Sequence, residues 1–99
     1  MQSFYEEIFE REMGCTEAEW LGWLPAAIGD HPYEQMSGAV AVSINRGSLS
    51  ITWRVGEPRA IALARIPRLI VQFAFEGLAS QERLAFMRRF DLYTQRGGG

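Results

Sequence analysis

The chain has 99 residues, 47% of them hydrophobic and 12% aromatic, and a formal net charge of −2. That length holds one hydrophobic core, and that composition excludes a disordered chain. A single cysteine excludes an intrachain disulfide, and the absence of lysine excludes Schiff-base chemistry and a phosphate-loop lysine.

Ser3 to Glu12 reads as a first helix. Ser3 and Glu6 fit a capping box, and Phe4, Tyr5, Ile8 and Phe9 recur at helical spacing. Glu6 and Glu10 share the other side, four residues apart, where like charges repel. Gly14 suits the stop. Thr16 and Glu19 form a second capping box ahead of a helix carrying Trp20, Leu21, Trp23, Leu24, Ala27 and Ile28. Pro25 inside it predicts a kink or restart, because its ring clashes with the preceding turn and it lacks an N–H. Gly29 ends that helix, and residues 30–38 read as a loop.

From Ala39 the period changes to two. Val40, Val42 and Ile44 alternate with small residues, as do Leu49, Ile51, Trp53 and Val55. Asn45-Arg46-Gly47 between them predicts a hairpin, with glycine at a left-handed position. Gly56-Glu57-Pro58 makes the next turn. Ile61, Leu63 and Arg65 alternate with Ala60, Ala62 and Ala64 as a third strand. Leu69, Val71, Phe73 and Phe75 mark a fourth, with Pro67 breaking the run between them. Ser80 caps a last helix to about Gln95, whose apolar face is Phe86, Met87, Phe90 and Tyr93. The expected fold is α+β, in the order α-α-β-β-β-β-α: a four-stranded antiparallel meander with helices packed on one face. Residues 1–96 form one globular domain and 97–99 a flexible glycine tail. The three tryptophans are expected in the helix–sheet interface.

Charge is unevenly placed. Residues 1–45 hold Arg11 against eight acids, for −7, and residues 46–99 hold nine arginines against four acids, for +5. On a helical wheel Arg88, Arg89, Leu92 and Arg96 fall together, opposite the Phe86–Phe90 stripe. An apolar residue ringed by guanidinium groups suits a protein interface, so these four are the candidate partner-binding residues. Arginines near a helix C-terminus also complement its macrodipole, and Asp91 sits within reach of Arg88.

The other chemistries find little. Cys15 precedes a helix N-terminus, where amides lower a thiol pKa, and His31 is the only histidine to serve as its base. No ligand set has zinc spacing, and no glycine-rich phosphate loop follows a strand. We therefore expect no catalytic residue, no metal and no cofactor. Arg96-Gly97-Gly98-Gly99 resembles the diglycine end of ubiquitin-like carriers, over the tail alone; in those carriers a strand, not a helix, leads into it. The start has neither a basic nor an apolar signal-peptide region, and no stretch is long and apolar enough to span a membrane. The expectation is a cytoplasmic, non-enzymatic protein-binding, adaptor or chaperone-like module that self-associates, with a homodimer as the expected partner state. The alternative is a binder of nucleic acid or a phosphate ligand through the arginines of the second half.

Overall fold

The computed structural model describes residues 3–94. The fold is α+β. The elements run β1 (Ile8–Met13), α1 (Glu17–Ile28), β2 (Tyr33–Met36), β3 (Ala39–Ile44), β4 (Gly47–Val55), β5 (Arg59–Ile61), β6 (Ala64–Ile66), β7 (Leu69–Glu76) and α2 (Ser80–Thr94). Five strands form one antiparallel sheet in the order β1-β7-β4-β3-β2, and β5 with β6 forms a separate two-stranded hairpin.

Both helices cover one face of the sheet. Val40, Val42 and Ile44 of β3, Leu49, Ile51 and Trp53 of β4, and Leu69, Val71, Phe73 and Phe75 of β7 are buried there. The helices answer with Trp20, Leu24, Ala27 and Ile28 from α1 and Phe86, Met87 and Phe90 from α2. Aromatic rings join the layers edge to face: Trp20 meets Trp53 at 5.7 Å and Phe90 at 5.8 Å, and Phe90 meets Phe73 at 5.5 Å. Trp53 also donates its indole N–H to Glu17 at 2.8 Å, and Trp23 is half-buried at the margin. The opposite sheet face is open and carries small or polar side chains such as Ala41, Ser43, Ser48, Ser50, Thr52 and Gln72.

The N-terminal segment corrects the sequence expectation. Residues 8–13 are an edge strand, not the second half of a helix, and they pair with β7 from Ile8↔Ala74 to Met13↔Leu69. The same residues also carry a period of two. Phe9, Arg11 and Met13 point to the covered face; Ile8, Glu10 and Glu12 point away. Pairing along β7 completes a backbone ladder and stacks Phe9 on Phe73 at 4.8 Å, which an isolated helical turn would not achieve. It also separates Glu6 from Glu10, which a helix would have aligned.

Three further differences have local causes. α1 forms its expected capping box, with Glu19 N donating to Thr16 Oγ1 and Thr16 N to Glu19 Oε1, and it runs through Pro25 as one helix to Ile28. Pro25 lies near the C-terminal end, so few helical bonds depend on it. Residues 33–36, expected as loop, pair with β3 as a second edge strand; all four are exposed, so no alternation marked them. In the β3–β4 turn the left-handed residue is Asn45, at φ 51°, not Gly47. Gly47 is needed for another reason. A Cβ there would sit 2.3 Å from the Glu76 carbonyl oxygen on the neighbouring strand.

The run expected as a third sheet strand folds back on itself. Ile61↔Ala64, Ala60↔Arg65 and Arg59↔Ile66 pair across a two-residue turn at Ala62-Leu63, with Ala62 at φ 53°. The resulting arm packs on itself and scarcely on the rest of the domain. The domain measures 47 Å on its long axis against 29 and 20 Å on the others.

Candidate interaction surface

The arginine stripe of α2 divides when it is placed in the fold. Arg88 is exposed and Leu92 is 66% exposed, so these two remain an outward pair. Arg89 turns the other way. Its Nε donates to the Ala26 carbonyl at 3.2 Å and its guanidinium lies over the Tyr93 ring at 4.7 Å. α1 has no basic residue in its own last turn, so Arg89 supplies the cation that its C-terminal carbonyls favour. Arg96 and the glycine tail at 97–99 lie outside the described residues.

Other arginines are also committed internally. Arg83 is buried and donates to the Tyr5 carbonyl at 2.8 Å and the Leu78 carbonyl at 2.9 Å, tying the N-terminal segment to α2. Arg11, the one cation of the acidic half, pairs with Asp91 at 2.7 Å and lies over the Phe73 ring. Asp91 therefore serves Arg11 and the Tyr5 hydroxyl, which donates to it, and not Arg88. Burial, then the bond to Asp91, pushes the Tyr5 hydroxyl pKa above its ordinary value. The two charge-biased halves thus close on each other in part, inside one domain.

Cys15 and His31 are not brought together. They flank opposite ends of α1, whose 12 residues span about 18 Å. The Cys15 thiol is buried, and desolvation, then the nearby Glu19 carboxylate, pushes its pKa up to about 11. The His31 ring leans on Phe86 at 5.5 Å. Among the described residues no group of three or more His, Cys, Asp or Glu converges as a metal site.

A cleft of about 290 Å³ lies between the α1–β2 connection, the β3–β4 turn and α2, with His31, Ile44, Asn45, Gln81, Phe86 and Arg89 in its walls. Two of its polar groups engage each other. Asn45 Nδ2 donates to Glu82 Oε2 at 2.7 Å, and Glu82 Oε1 accepts the Ala79 amide at 2.8 Å. Those two contacts, the amide first, hold the Glu82 carboxyl below its ordinary pKa.

The surface that sequence reasoning missed is the β5–β6 arm. Between Pro58 and Pro67 lie Ile61, Leu63, Ile66, three alanines, two arginines and no acid. Every residue of both strands is exposed, and Leu63 at the tip is fully so, at 103%. Val55, where β4 leaves the sheet, adds another exposed aliphatic side chain. At the base Arg59 Nη2 meets Glu12 Oε1 at 2.7 Å and Arg68 Nε meets Glu12 Oε2 at 2.8 Å; the second is a close ion pair without an aligned hydrogen bond. Arg65 has no partner among the described residues. The signal available in the sequence was an alanine-rich run bounded by two prolines, which a half-buried strand does not need.

No helix among the described residues is long and apolar enough to cross a membrane. The chain matches no protein-family model, no curated protein and no solved structure.

Proposed function

We propose that this protein is a small, non-enzymatic binding module that associates with itself. One observation supports this above the others: the β5–β6 arm, which carries Ile61, Leu63 and Ile66 at 53%, 103% and 37% exposure. Contiguous exposed apolar surface on a small domain marks an interaction site, whereas singly scattered apolar residues carry no such meaning. Arg88 and Leu92 on α2 supply a second outward surface of the same mixed character, on which an adaptor or chaperone-like role would draw. The buried, protonated thiol of Cys15 suits a protein-binding role in the reducing cytoplasm better than nucleophilic chemistry. Nucleic acid is the weaker alternative, because Arg11, Arg59, Arg68, Arg83 and Arg89 are engaged within the domain.

Sedimentation velocity from micromolar to millimolar concentration tests the reading. The expected result is a species of twice the 11.2 kDa chain mass that grows in with concentration. A single 11.2 kDa species throughout would overturn it. Leu63→Asp and Leu92→Asp, both at exposed positions, then distinguish the arm from α2 as the contact.

A further inference from the structure

We propose that the arm of one copy docks on the β2 edge of a second copy, adding β6 to the five-stranded sheet, and that the exchange is reciprocal. This rests on the self-association reading and names its two contact surfaces.

The arm is a structure that needs a partner. Its strands have three residues each, and its turn places Ala62 at φ 53° with neither glycine nor asparagine at the tip. An isolated two-stranded hairpin is marginal in water even with good turn chemistry. Here the apolar side chains that would stabilise it face solvent, and β6 has one free ladder edge.

β2 is the complementary surface. Tyr33–Met36 pairs with β3 on one side only, so its other edge presents unpaired N–H and C=O groups. Edge strands in soluble proteins are usually guarded by proline, lysine, a bulge or a covering element. Within these four residues there is no proline, lysine or bulge; the guards are the strand's shortness and the charge of Glu34, and Tyr33 and Met36 are 42% and 50% exposed. The opposite edge, β1, differs in charge: Glu10 and Glu12 alternate along it, and Glu12 already holds Arg59 and Arg68.

The two segments match in length, character and charge. With β6 antiparallel to β2 and Arg65 opposite Glu34, Ile66 falls opposite Tyr33 and Ala64 opposite Gln35, and the Leu63 tip lies just beyond, at the Met36 end. Side chains on a strand alternate between faces, so Arg65 and Glu34 share one face. Ile66 and Tyr33 share the other. Arg65 and Glu34 are exposed and unpaired among the described residues, so the contact joins two free charges of opposite sign. A reciprocal pair closes by two-fold symmetry and pairs the free sides of both β6 strands and both β2 strands.

Charge exchange tests this with the whole chain. Arg65→Glu and Glu34→Arg each place like charges in both contacts of a homodimer, so each alone should weaken self-association by at least about tenfold. Mixed in equal amounts they place opposite charges in both contacts, and a heterodimer of near-wild-type affinity should form. Sedimentation reads the dimer, and one fluorescently labelled variant identifies it as mixed. Circular dichroism confirms that each variant is folded; should Arg65→Glu fold poorly, Arg65→Ala mixed with Glu34→Ala replaces the pair and should recover association in part, because the mixed dimer keeps one native Arg65–Glu34 contact and each homodimer keeps none. A wild-type dimer indifferent to both exchanges, or variants that fail to recombine, overturns the arm–edge contact while self-association stands. A wild-type monomer at every concentration overturns both.

Discussion

The covered face of the sheet and the β5–β6 arm use the same kinds of residue to opposite ends. Ile51, Val71 and Phe73 are wholly buried; Ile61, Leu63 and Ile66 stand in water. Composition does not separate the two groups. What separates them is whether a second layer exists to receive them. β4 and β7 lie at the centre of the sheet with α1 and α2 above them, and the arm leaves that stack where β4 ends at Val55. The core is therefore a property of one chain, whereas the arm's apolar surface finds no such layer among the described residues of its own chain.

The contrast can be broken experimentally, beginning with its strongest limb. Phe90 is fully buried between Trp20, Phe73 and Phe86, so Phe90→Ala should cost about 3–5 kcal/mol of unfolding free energy in a urea titration. A loss below about 1 kcal/mol would mean that α2 does not seat on the sheet. Next comes Arg83→Met, which keeps the stem but leaves the buried Tyr5 and Leu78 carbonyls without their donor. The expected loss is roughly 2–3 kcal/mol. Limited proteolysis should show earlier cleavage near residues 3–7, and an unchanged cleavage pattern would remove the tether from the account.

Cys15 probes the same core by pH. Its folded pKa of about 11 lies above the unfolded value near 9, so the folded state holds the proton longer. Its contribution to stability is complete below about 9 and is lost as pH rises through 11. Wild type should therefore lose more stability than Cys15→Ala between pH 8 and pH 11. At pH 8 a thiol reagent should label the folded chain about a hundredfold more slowly than the unfolded chain. Fast labelling of the folded form would place Cys15 at the surface. At the other limb, Leu63→Asp should change the monomer's unfolding free energy in a urea titration by no more than about 0.5 kcal/mol. A large shift would mean that the arm's tip packs on its own domain after all.

The pattern of what the sequence disclosed follows the same division. β3, β4, β7 and both helices announced themselves because each buries one face, and burial on one face imposes a period. Val40, Val42 and Ile44 against Ser43 and Ala41 is such a pattern, as is Phe86 with Phe90. β2 and the arm bury neither face, so nothing in Tyr33–Met36 or Arg59–Ile66 was under that constraint. The first strand failed for a different reason. Residues 4–9 satisfy the helical spacing and residues 8–13 the strand spacing, and only the vacant edge of β7 decides between them. The α2 stripe was half legible. The wheel placed Arg88 and Leu92 outward correctly, but a wheel does not reveal that the end of another helix stands beside Arg89.

Glu12 gives the arm a property beyond surface. Its two oxygens hold Arg59 at the start of one leg and Arg68 just past the other, beside the Gly56 N–H that donates to the Arg68 carbonyl and the Arg68 guanidinium that donates to the Glu57 carbonyl. Both ion pairs are partly exposed and therefore open to screening by salt. Raised ionic strength should therefore loosen the carboxylate's share of that fastening and leave the Gly56–Arg68 backbone bond as the pivot.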